Sequence, residues 1–147
     1  MRKMQLTRNF SLEEMLRSDT AIRCGIANRP KTKQEETTVV ENLRALCREV
    51  LQPLRDHLGR PVVISSGYRC RELNEKVGGA KNSQHMRGEA ADIRVKDSRE
   101  LTETMRFIMD ETEFDQLIRE KSATGKWVHV SYKRNGKNRQ HVFKMTC

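Results

Sequence analysis

The stretch that most restricts how this chain can fold is Ser83-Gln-His85-Met-Arg-Gly88-Glu-Ala90-Ala-Asp92, which sets an imidazole and a carboxylate seven positions apart across a glycine. The polar, glycine-containing run 78–84 before it reads as a loop, and 90–95 reads as a strand. A loop-borne His85 and a strand-borne Asp92 meet only if the chain doubles back between them, and Gly88, with no Cβ, permits that turn. Both groups are good zinc ligands, and a catalytic zinc takes three protein ligands and keeps one position open for water. The best third candidate is His129, which alternates with Val128 and Val130 and so faces a cleft while they face the core. His57 and His141 lack comparable neighbours. Taken singly, each histidine reads as an ordinary turn or strand residue; together with Asp92 they favour a site for one zinc ion.

The other segments supply a frame. Ser11 and Glu14 have the capping-box spacing and predict a short helix from residue 12, stopping before the turn region 25–30. Val39, Leu43, Leu46, Val50 and Leu54 recur at helical spacing and predict a long amphipathic helix over 35–58, kinked at Pro53 and ended by Gly59. The β-branched run 61–66 predicts a buried strand, and 71–77 a helical turn or two. Ser98 is the expected cap of another amphipathic helix running to about 110, with Leu101, Met105 and Ile108 inside. Strands are then expected at 114–119, 127–132 and 141–144, the last folded back at Asn135-Gly136 so that the tail is an antiparallel meander. Helices ahead of a mostly antiparallel sheet make the class α+β. The 147 residues fit a single domain, with 1–8 and 134–147 at its periphery.

Composition excludes some functions and leaves others open. No apolar run approaches the roughly 18 residues of a membrane helix. The start, MRKMQLTRNFSLEE, has no signal-peptide core, so synthesis in the cytoplasm is expected. Cys24, Cys47, Cys70 and Cys147 form no CxxC pair and read as free thiols. The net charge of +9 suits any polyanion, whether nucleic acid or an anionic cell-wall polymer. Because the basic residues are scattered and no nucleic-acid motif accompanies them, a nucleic-acid partner is not expected.

Ser66-Gly-Tyr-Arg69, Val77-Gly-Gly-Ala80, the Ser83-to-Asp92 segment and Trp127-Val-His129 together resemble the M15 peptidases, a family of D-alanyl-D-alanine carboxypeptidases and phage endolysins. The similarity is greatest to the small M15A-type members and extends to Asn9-Phe-Ser-Leu-Glu-Glu14 and Leu51-Gln-Pro-Leu-Arg55. It implies a hedgehog-like, D-Ala-D-Ala-peptidase-like fold and a peptidoglycan peptide as substrate. It also implies zinc on His85, Asp92 and His129, with Arg69 holding substrate or the developing oxyanion. Ser83 and Gln116 are further expected substrate contacts. Many members carry an acidic catalytic residue three positions before the last histidine, where this chain has Lys126. The substitute expected is Glu120, at the end of the strand before the one bearing His129; the related hedgehog fold similarly takes its acid from the preceding strand. Asp115 and Glu89 are weaker candidates.

The resulting expectation is a monomeric zinc peptidase, without a membrane span, released to the cell wall like the lysis enzymes of phages and prophages. Two other readings stay open. One is a binding module that keeps the fold without cleaving, as Lys126 suggests; the other, a distant third, is a basic nucleic-acid binder.

Overall fold

A computed structural model describes residues 4–146, with backbone alone at Met145 and Thr146. Cys147 lies outside them; Cys24, Cys47 and Cys70 are all free thiols. The chain opens with a small antiparallel ribbon, β1 (Gln5–Thr7) and β2 (Phe10–Ser11), leading into α1 (Leu12–Leu16). The expected cap is in place, since Ser11 Oγ accepts from the Glu14 amide at 3.2 Å. Next comes α2 (Asp19–Cys24), which Gly25 ends in the left-handed conformation at φ 67°.

The long helical segment has three parts, α3 (Lys33–Leu46), a π-helical stretch Cys47–Leu51 and α4 (Gln52–Leu58). Pro53 has no N–H for the carbonyl four residues back, and the chain answers with wider turns just ahead of it rather than a break. Val39, Leu43, Leu46, Val50, Leu51 and Leu54 are all buried, so the apolar stripe stays continuous through the π stretch.

There follow β3 (Val63–Ser66), α5 (Arg71–Lys76), a 3₁₀ turn at Gln84–Arg87, β4 (Ala90–Val95), α6 (Ser98–Glu111), β5 (Gln116–Ser122), β6 (Gly125–Ser131) and β7 (His141–Thr146). The main sheet has the order β3-β4-β6-β5-β7, which with the preceding helices makes an α+β fold. Three expectations need correcting. First, the 61–66 strand is not buried: β3 is an edge with β4 as its neighbour, and Val63 is 50% exposed. Second, α6 is capped by Asp97, whose Oδ1 accepts from the Glu100 amide at 2.8 Å, and Ser98 is its first residue. Third, the tail is not a simple antiparallel meander, because both edges of β6 are occupied by β4 and β5. Gly136, at φ 87°, turns the chain instead toward the far edge of β5, where β7 pairs in parallel from Gln116↔His141 onward.

Alternation along the strands divides the sheet into two faces. Ala91, Ile93, Val95, Leu117, Val128 and Val130 face the helices and join the core with Leu43, Leu54, Leu101 and Ile108. Asp92, His129, Gln116, Ile118 and Glu120 lie on the other face, along a cleft.

Candidate metal centre

Asp92 and His129 are direct cross-strand partners of β4 and β6, so their side chains share a face by register alone. His85 arrives from the 3₁₀ turn, whose geometry its neighbours fix. Ser83 Oγ accepts from the His85 amide at 3.2 Å, and Gly88 closes the turn at φ 76°, as the sequence predicts. A Cβ on Gly88 would stand 2.8 Å from the Val39 carbonyl oxygen, so the turn is also pressed against α3.

His85 Nδ1 lies 2.6 Å from the carbonyl oxygen of Gly67. A carbonyl only accepts, so Nδ1 carries the proton and the Nε2 lone pair faces inward. That Nε2 approaches Asp92 Oδ1 to 3.3 Å, and His129 Nδ1 approaches the same oxygen to 3.0 Å. The two rings meet edge to face at 5.1 Å between centroids. One donor atom from each residue lies within 4.8 Å of the others, and buried Nε2 of His85 has no hydrogen-bond partner among the described residues. Leaving a buried polar atom unpaired costs about 1–3 kcal/mol, a cost that ligation of a cation removes. Two nitrogens and a carboxylate oxygen are a zinc donor set. Burial pushes the Asp92 carboxyl up, but the His85 and His129 imidazoles outweigh it and hold the group well below the usual carboxylate range. As a metal ligand Asp92 would be an anion and the two imidazoles neutral.

Arg69 is held from three sides: its Nε donates to Ser66 Oγ at 3.1 Å, Nη1 to Asn74 Oδ1 at 3.0 Å and Nη2 to Asp92 Oδ2 at 3.4 Å. Gly79 packs beside this pair, where a Cβ would come within 2.8 Å of Arg69 Nη1. Arg69, Ser83, Gln116, Glu120 and Trp127 line a cleft of about 670 Å³ together with the three clustered residues.

Strands β5 and β6 form the expected antiparallel hairpin, with Ile118 opposite His129 and Glu120 opposite Trp127. Glu120 is thus two residues along the cleft face from the level of His129. Trp127 Nε1 donates to Glu120 Oε2 at 2.8 Å, a contact that residue types alone do not announce. Burial and the nearby charge of Asp92 push the Glu120 carboxyl above its ordinary value, and His129 and the indole only partly offset them. Lys126 occupies the opposite face of β6, and its Nζ donates to Ser98 Oγ at 2.7 Å. An acid at 126 would face α6 in this register. Asp115 is fully buried and takes Arg139 on both oxygens at 3.0 and 2.9 Å, while Glu89 pairs with Arg87 at 2.9 Å. Neither carboxylate is spare.

The sequence pattern of the peptidase M15 family matches residues 8–131. The zinc D-Ala-D-Ala carboxypeptidase of Streptomyces albus G is 46% identical over 44 residues, which are 29% of this chain and 17% of that protein. The matched region is therefore a small part of that relative's length.

Proposed function

The chain belongs to the peptidase M15 family, and from that membership we propose that it is a zinc peptidase hydrolysing amide bonds in the stem peptides of peptidoglycan. The observation that carries this reading is the convergence of His85, Asp92 and His129 within 4.8 Å, beside a half-buried carboxylate on the same sheet face. The similarity to the Streptomyces protein, a zinc D-Ala-D-Ala carboxypeptidase, supports both the metal and the substrate class.

His85, Asp92 and His129 are the residues that would hold the ion. Zinc held there supplies Lewis acidity, acidifying water and polarising a carbonyl. In its ionised form Glu120 accepts the proton of the attacking water and then delivers it to the departing amine. The indole of Trp127 fixes one carboxylate oxygen of Glu120 and leaves the other free for that transfer. Arg69 brings a guanidinium to the cleft wall, where charge-assisted hydrogen bonds favour a substrate carboxylate or the negative charge developing on the carbonyl oxygen. Ser83 and Gln116, also on the cleft wall, are the other proposed substrate contacts.

Incubating zinc-loaded protein with purified peptidoglycan and identifying the released ends by mass spectrometry tests the proposal. New peptide termini are expected, and Glu120→Ala is expected to lower their rate of appearance by about 10²–10⁴-fold with zinc content unchanged. Intact stem peptides after exhaustive digestion would overturn the reading, and undiminished cleavage by the variant would remove Glu120 from it.

A further inference from the structure

We propose that the end of this cleft near Gln116 is a cationic subsite, built by Lys133 and Arg139, which holds an ionised carboxylate of the substrate peptide within a residue or two of the bond that is cut. The proposal rests on reading the cleft as a peptidase site.

The cleft-facing residues of β5 are Gln116, Ile118 and Glu120, spaced at about 7 Å for each step of two residues. Ile118 lies level with His129, so Glu120 falls on one side of the metal ligands and Gln116 on the other. Beyond Gln116 the cleft wall is completed by Lys133 and Arg139. Both cations gather around one carboxylate. Arg139 takes the two oxygens of Asp115 at 3.0 and 2.9 Å, and Lys133 Nζ stands 3.9 Å from Oδ1. Asp115 neutralises one of them, so among the described residues a unit of positive charge is left over.

Exposure decides which charge an incoming ligand meets. The Asp115 side chain is 0% exposed, against 28% for Lys133 and 47% for Arg139. The anion is sealed beneath and the cations face the cleft. Arg87, also on the cleft wall, is matched by Glu89 and adds no net charge. A structural ion pair for Asp115 needs Arg139 alone; Lys133, too distant for a hydrogen bond, is surplus to it.

The two cations are also held in place. The Lys133 amide donates to Asn138 Oδ1 at 2.7 Å, and Asn138 Nδ2 returns a bond to the Lys133 carbonyl at 3.2 Å. The Arg139 amide donates to Asp115 Oδ1 at 2.9 Å, and the His141 amide to the Asp115 carbonyl at 2.9 Å. Backbone positions fixed before binding reduce the ordering that a ligand must impose. Both residues lie beyond residue 131, where the match to the family pattern ends.

The test uses stem-peptide pairs that differ only in a carboxylate or a carboxamide, placed at each acidic position of the stem in turn. Binding to zinc-loaded Glu120→Gln protein is measured by calorimetry, and hydrolysis by the wild type is measured in parallel. At one position the acid form is expected to bind about tenfold more tightly than the amide, the scale of one charge-assisted contact. That ratio should fall toward unity with Lys133→Gln added or with rising salt, and should survive Arg139→Lys, which keeps the charge on Asp115. Equal binding of acid and amide at every position, or a ratio indifferent to Lys133→Gln, would overturn the subsite even if both forms are cleaved. Preferential binding without cleavage of either form would uphold the subsite and remove the peptidase reading instead.

Discussion

A backbone carbonyl, that of Gly67, decides which nitrogen of His85 is free to ligate, and an indole decides which oxygen of Glu120 is free to move a proton. Trp127 is the chain's single tryptophan, so its role is open to a clean substitution. Trp127→Phe keeps an aromatic ring and removes the donor, and a hydrogen bond to a charged group contributes about 1.5–3 kcal/mol. The expected outcome is a roughly tenfold or larger fall in kcat with zinc content and KM unchanged. The acid limb of the pH profile supplies a second reading. Glu120 works as a base only when ionised, so activity should rise with pH as its carboxyl gives up its proton. The phenylalanine variant, lacking a donor that favours the charged form, should move that limb to higher pH. Alternation along a strand fixed where Asp92 and His129 point, and Gly88 marked the turn that brings His85 to them, whereas Glu120 was reached only through the family resemblance. The partners at Gly67 and Trp127 were not legible, since every residue has a carbonyl and an indole on a strand has many possible acceptors.

Elements set the approach of these groups, and the turn at Gln84–Arg87 is the most exacting of them. Gly88→Ala would strain a backbone at φ 76° and drive a methyl group to 2.8 Å from the Val39 carbonyl. A loss of about 1–3 kcal/mol in thermal or denaturant unfolding is expected, together with weaker zinc binding as His85 is displaced. The start of β5 is tied down by the Asp115–Arg139 pair, which, after burial is set against it, lowers the Asp115 carboxyl from its ordinary 3.8 to about 2. A depressed folded-state pKa stabilises above the unfolded value and is lost as pH falls through the folded one. About 2 kcal/mol should therefore disappear between roughly pH 4 and pH 2 in the wild type, and Asp115→Asn should flatten that part of an acid unfolding curve. Helical periodicity announced α3, α4 and α6, because burial of one face is a local requirement on residue spacing, while the strands were marked by β-branched runs and turn residues. The parallel seat of β7 was hidden, since it depends on β4 already filling the edge of β6 that a hairpin at Asn135-Gly136 would need.

At the scale of the whole molecule, the helices cover one face of the sheet and the cleft opens on the other, so the core and the site draw on alternate residues of the same strands. The chain as a whole carries a net charge of +9. Association with an anionic wall polymer should weaken as ionic strength rises past about 0.1 M, where the screening length falls to about 10 Å; sedimentation with purified cell walls over a salt series measures this. Charge was legible from composition, but which face it serves was not, because composition carries no positions. The most direct measurement is metal content after exhaustive dialysis against trace zinc, by atomic emission, for the wild type and for His85→Ala, Asp92→Ala and His129→Ala, each checked for folding by circular dichroism. One zinc per wild-type chain, with marked loss in every folded variant, is the expected result. A wild type that retains no zinc, or variants that retain it fully, would contradict a metal centre built from these three side chains.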